Sequence, residues 1–207
     1  MLFLSSTDPA AEKTEMLVIP VCEDKDLNDS PVIASTVQRV RGFKEFTGAS
    51  GDVTVLYDPS QVKARRIMFI GLGKSESVSP ESLRAMAGRA IAQGMQRKLT
   101  AISLLVPTGD GLGLVMAAIL EAMLKGACLN NYLFDRYRTQ KEPKPLKRIN
   151  FLVKPAAVRK FKMLPSRVSA VCQGTLLTRN WVNTPSNDKK PAAFARTVVR
   201  LAKMEGL

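Results

Sequence analysis

The chain has 207 residues, 45% of them hydrophobic, and carries 31 Lys and Arg against 18 Asp and Glu for a net charge of +13, with no histidine. A mean hydropathy of −0.02 suits a cored, water-soluble protein rather than a disordered one, and the missing histidine excludes Ser-His-Asp and Cys-His nucleophiles and His-based zinc sites. No apolar run reaches the roughly 18 residues of a membrane span, since the longest, Leu112 to Leu124, is broken by Gly113 and Glu121.

The N-terminus (Met1-Leu2-Phe3-Leu4) lacks a basic n-region and is followed closely by Asp8 and Glu12. It reads as a first strand rather than a signal peptide, with the cytoplasm as the expected compartment. Residues 15–21 read as a buried strand followed by the acidic turn Glu23-Asp24-Lys25-Asp26, and 34–41 as a short helix. Alternating Val53, Val55 and Tyr57 predict a strand over 52–57 after a glycine-marked turn. Residues 66–71 are apolar on both faces, as the middle of a covered sheet requires, and run into Gly71-Leu72-Gly73-Lys74.

Ser79 is a good N-cap and Pro80 fits the first helical position. Leu83, Met86, Ala87, Ala90, Ile91 and Met95 then fall on one helical stripe. A strand is expected at 100–106, a loop over Thr108–Gly111, a deeply buried helix at 112–128, and a strand at 148–154 after a basic linker. From Ser166 a long helix is expected to about Asn180, with Val168, Val171, Cys172 and Leu176 inward. A turn-rich segment to Asp188 follows, and then a helix at 190–204 carrying Phe194, Val198, Leu201 and Ala202 on one face. The alternation of strands and helices predicts an α/β fold with a mixed, largely parallel sheet covered by helices on both faces. Two regions are expected: an α/β domain over 1–165, and, over 166–207, a linker helix with the start of a further unit that the sequence leaves unfinished.

Charge is distributed unevenly. Residues 1–62 hold ten acids and five bases, whereas 63–207 hold 26 bases and eight acids. Between Arg136 and Lys162 stand ten Lys or Arg and one acid, Glu142. Arg136, Arg138, Lys141, Lys144, Lys147 and Arg148 are the candidate polyanion-binding residues, because phosphate contacts favour Lys and Arg. The aromatics Tyr132, Phe134, Tyr137, Phe151 and Phe161 interleave with this run, several of them as expected core. A solvated basic face, or a face that meets an acidic partner region, fits the same residues. Gly71-Leu-Gly-Lys74 lacks the third glycine and the immediate helix of a dinucleotide fingerprint. Thr108-Gly-Asp-Gly-Leu-Gly113 lacks a Walker lysine. Glu23, Asp24, Asp26 and Asp29 lack the pattern of a calcium loop. The first and third are expected to be turns and the second a plain loop. Cys22, Cys128 and Cys172 are dispersed and are expected to be buried free thiols.

Four segments, in order along the chain, resemble the leucine aminopeptidase (cytosol aminopeptidase) family. They are Leu17-Val-Ile-Pro-Val-Cys-Glu-Asp-Lys-Asp26; Phe69-Ile-Gly-Leu-Gly-Lys74 with Leu83-Arg-Ala-Met-Ala-Gly-Arg-Ala90; Asn131-Tyr-Leu-Phe-Asp-Arg-Tyr-Arg-Thr139; and Gly174-Thr-Leu-Leu-Thr-Arg-Asn-Trp-Val-Asn-Thr-Pro-Ser-Asn187, continued by Pro191 and Phe194-Ala195. Trp181 departs from the family's usual aliphatic residue, and 140–165 is unusually basic. The resemblance implies a macro-domain-like N-terminal fold and a linker helix leading to a C-terminal peptidase domain that holds two divalent metal ions, zinc or manganese. It also implies a homo-hexameric parent protein and, in some members, DNA binding. It carries no catalytic or metal-ligating position onto these 207 residues, and Asn183-Thr184-Pro185 is expected to be a structural turn. On this reading the chain itself hydrolyses no peptide.

Overall fold

The computed structural model describes residues 1–43, 45–139, 144–204 and 206. The chain divides into two compact units, Met1–Cys172 and Gln173–Leu207.

The first unit is a six-stranded sheet. Its strands are β1 (Leu2–Ser5), β2 (Leu17–Cys22), β3 (Val53–Tyr57), β4 (Arg66–Gly73), β5 (Ala101–Leu105) and β6 (Arg148–Leu152), in the spatial order β1-β6-β5-β2-β4-β3. All neighbours are parallel except β3, which pairs antiparallel with β4 at the edge. This is the mixed, largely parallel α/β sheet expected from the alternation. Helices α1 (Pro31–Arg41), α2 (Pro80–Gln96) and α3 (Met116–Asn130) connect the strands.

Strand period two divides the core into two layers. On one face Val18, Met68, Ile70, Ile102, Leu104, Ile149 and Phe151 pack under α2 and α3. On the other, Leu17, Ile19, Ile67 and Phe69 pack under Ile33, Val37 and Val40 of α1. The stripe expected on α2 is buried as a set, and its N-terminus carries a reciprocal cap: Ser79 Oγ accepts from Ser82 N (3.2 Å) while Ser79 N donates to Ser82 Oγ (2.9 Å).

Several boundaries differ from the sequence expectation. α1 begins at Pro31, three residues early, because proline occupies its first turn. α3 begins at Met116 rather than 112: a short 3-10 turn takes Gly109–Gly111, Gly113 sits at φ 63°, and Val115 is exposed. A further helix, α4 (Pro155–Lys160), precedes α5 (Leu164–Asn183). On α5, Val168 and Cys172 are buried but Val171 is exposed, since it lies about 100° around the helix from Cys172. Cys22 and Cys172 are buried, whereas Cys128 is only half-buried.

Pro20 stands in a central strand, where proline is rare. Residues of β2 facing β5 alternate: Met16 O accepts from Ser103 N, and Val18 follows, paired with Leu104. The next in that series is Pro20, which has no N–H to offer. The β2–β5 ladder accordingly ends at Val18, while β2 stays paired with β4 as far as Cys22.

In the second unit, the turn after α5 is held by Thr184 Oγ1, which donates to Asn180 O (2.7 Å), and by Lys189 Nζ, which donates to Trp181 O (2.7 Å). Helix α6 (Pro191–Met204) follows, and Phe194 meets the Trp181 ring edge-on at 5.0 Å. No described helix is long and apolar enough to cross a membrane.

Candidate functional site

The segment between α3 and β6 is pinned at both ends. Asn131 Oδ1 accepts from Leu146 N (2.7 Å) and its Nδ2 donates to Leu146 O (2.9 Å), with Leu146 buried. Arg136, Arg138, Lys144, Lys147 and Arg148 are all exposed on or beside this segment, whereas Lys141 lies outside the described residues. Arg136 stands over the Tyr137 ring at 5.4 Å and Arg148 over Phe3 at 5.4 Å. Of the interleaved aromatics, Phe151 is core and Tyr137 is exposed.

Topology places this segment at the N-terminal ends of the parallel strands. Arg66 opens β4, Arg97 and Lys98 precede β5, and Lys147 and Arg148 lead into β6. At the opposite, carboxyl end follow Glu23, Asp24, Asp26, Asp29 and Asp110. Bases thus gather where the parallel strands begin, whereas the carboxyl end is mixed, since Lys25, Lys74 and Lys154 follow the strands there beside these acids.

The acidic carboxylates have separate partners. Asp24 accepts from Ser75 N (2.8 Å) and Ser75 Oγ (2.9 Å), and these bonds hold its carboxyl below the usual range. Asp26 pairs with Arg41 (3.3 Å) and Asp29 with Lys154 (2.7 Å). Among the described residues, no group of three His, Cys, Asp or Glu stands close enough to hold a metal ion. The two metals implied by the resemblance therefore do not fit this set of donors.

A crevice of about 620 Å³ opens at the carboxyl ends of β1, β5 and β6. This is where open parallel sheets take ligands. Its floor is apolar (Leu27, Leu105, Val106, Leu152), but Asp8 and Asp29 stand on its wall and Lys154 is tied to Asp29, which disfavours a phosphate. The Gly71-Leu-Gly turn lends it no anion loop. A Cβ on Gly71 would lie 2.0 Å from Ala49 O, because the chain's own Gly48–Asp52 segment occupies that space.

A second cavity, of about 740 Å³ counted to its open mouth, lies on the face of β5 and β6 away from α2 and α3. Its wall includes Ser103 and Asn150, 2% and 4% exposed, at paired positions in strands that are otherwise apolar in their middles. Glu12 Oε1 accepts from Ser103 Oγ (2.8 Å) and from Asn150 Nδ2 (3.0 Å). Asn150 Oδ1 has no partner. Leaving such a group unsatisfied costs about 1–3 kcal/mol, so this polar cluster lowers stability compared with an apolar filling of the same space. In the sequence, Glu12 bears only on the absence of a signal peptide. The signal that points to this cluster is a single polar residue at the centre of Ala101-Ile-Ser-Leu-Leu105 and of Arg148-Ile-Asn-Phe-Leu152.

The model of the cytosol aminopeptidase family, N-terminal domain, matches residues 18–141. A probable cytosol aminopeptidase of Alkaliphilus oremlandii (strain OhILAs) is 28% identical over 204 residues, covering 93% of this chain and 40% of the relative. A mutant of tomato leucine aminopeptidase superposes with a TM-score of 0.79 at 22% identity, covering 98% of this chain and 42% of that one. The bottromycin maturation enzyme BotP, in complex with Mn, gives a TM-score of 0.71 at 22% identity, covering 93% and 37%. The chain spans about two fifths of the length of these proteins. Through this N-terminal domain, the chain belongs to the cytosol aminopeptidase family.

Proposed function

We propose that the chain is the non-catalytic, assembly or regulatory N-terminal domain of a metal-dependent leucyl aminopeptidase, a cytoplasmic enzyme that removes N-terminal residues from peptides. The observation that carries this reading is the family match over 18–141 in a chain two fifths the length of its relatives. The 1–165 region is the domain proper, and 166–207 holds the linker helix and the start of the catalytic domain, its partner within the same protein. Two divalent ions there, zinc or manganese, would activate water for amide hydrolysis; the BotP complex with Mn supports metal use among relatives. The hexamer belongs to the same proposal.

The test is an assay of the purified 207-residue chain on a leucyl amide, with and without manganese or zinc. No turnover is expected. Robust metal-dependent turnover by homogeneous material would overturn the non-catalytic assignment.

A second reading, a free-standing module that binds a polyanion such as nucleic acid, or a nucleotide, is favoured by one observation: Arg136, Arg138, Lys144, Lys147 and Arg148 are all exposed. The two readings separate on the coding sequence past Leu207. A continuing frame rich in Lys, Asp and Glu metal ligands favours the first, and a stop codon the second.

A further inference from the structure

We propose that the polar cavity beside β5 and β6 binds a free α-amino acid of short side chain, held as its zwitterion. Such a site is independent of the aminopeptidase reading.

Strand register sets Ser5, Ser103, Arg148 and Asn150 on one face, because Phe3 and Ser103 both pair with Asn150 and side chains alternate along each strand. The segment before β2 brings Glu12 and Lys13 to the same cavity. The Asn150 amide is oriented by its neighbour: its Nδ2 donates to the Glu12 carboxylate, and the reverse orientation would set oxygen against oxygen. Asn150 Oδ1 is thereby left without a protein partner, next to a carboxylate. An ammonium group would supply the donor that Asn150 Oδ1 lacks and a counter-charge to the Glu12 carboxylate.

Lys13 and Arg148 line the same cavity and are both exposed. Stacking on Phe3 at 5.4 Å restrains the Arg148 guanidinium. Cations beside a carboxylate and an amide oxygen match a ligand bearing both a carboxylate and an ammonium. A phosphate would meet Glu12. A metal ion would find one carboxylate among the lining residues, and a nucleobase no aromatic ring there. Among the lining side chains on this face, Ala11 and Ala101 are the apolar ones, which suits glycine, alanine or serine.

The experiment is calorimetric titration of the 207-residue chain with serine at neutral pH, beside N-acetylserine, which has no ammonium, and serinamide, which has no carboxylate. Saturable binding of serine is expected, with both blocked forms weaker by about tenfold or more. Lys13→Met and Glu12→Gln should each weaken serine by a similar factor, with circular dichroism checking that each variant is folded. If Glu12→Gln does not fold, the blocked analogues and Lys13→Met decide. Absence of saturable heat with serine, glycine and alanine up to the millimolar range would overturn the proposal and leave a cavity filled by water. Equal affinity for a blocked form would overturn it as well.

Discussion

Gly126 of α3 lies so close to Arg84 of α2 that a Cβ on it would stand 2.1 Å from the Arg84 carbonyl oxygen. The two helices thus touch backbone to backbone over the face of the sheet that holds the larger core cluster. Gly→Ala inside a helix ordinarily gains about 1 kcal/mol from propensity. Here the obstacle is backbone and cannot swing aside, so overpacking wins. Gly126→Ala is expected to destabilise by about 1–3 kcal/mol in urea unfolding. Gly88→Ala meets the Asn130 side chain instead, which can rotate, and should cost less. Equal costs would argue against a backbone contact at Gly126.

Ser79 and Ser82 cap α2 reciprocally. Ser79→Ala removes one acceptor for an otherwise orphaned N–H, and a loss of about 1 kcal/mol is expected from thermal or urea melts. No loss would mean that water caps this end equally well.

Glu15 ties the start of β5 to the approach to β2: its Oε1 accepts from Thr100 N, Thr100 Oγ1 and Ala101 N. Burial pushes its carboxyl up, but these bonds, with Arg66 nearby, outweigh burial and hold it below its ordinary value of 4.5. A depressed carboxylate contributes stability that is present above the unfolded-state value and is lost as pH falls through the folded one. Glu15→Gln should therefore reduce stability at neutral pH and flatten the fall in stability below about pH 4.5. An unchanged acid limb in the variant would show that Glu15 contributes nothing there.

Cys22 is buried beside the acidic turn. Burial first, and then Asp24, push its thiol up to about 11. Near pH 8 about one molecule in a thousand would carry the thiolate, against roughly a quarter for an ordinary thiol. Iodoacetamide should label Cys22 in the native chain about a hundredfold or more slowly than in urea, read by mass spectrometry. Rapid native labelling would contradict the burial.

The basic end of the sheet makes a prediction about salt. If duplex DNA binds there, log K should fall linearly with log salt. Replacing Arg136, Arg138 and Lys144 by Gln should then shallow the slope by about 0.9 for each phosphate left without its cation. Undetectable binding at low salt would remove the polyanion reading.

Element types, the alternation that makes the sheet largely parallel, the stripe on α2 and the excess of basic charge are all legible in the order of residues. They are written locally, in period two, period 3.6 and the cap at Ser79–Pro80. Element starts are less legible: α3 opens four residues late because Gly109–Gly113 forms turns that apolarity alone does not reveal. Long-range packing, in contrast, sets β2 between β4 and β5, gathers Arg66, Arg97, Lys98, Lys147 and Arg148 at one end of the sheet, and carries Glu12 to Ser103 and Asn150. Those hydrogen bonds join residues 91 and 138 positions apart, and no local pattern encodes which strand a given strand will lie beside.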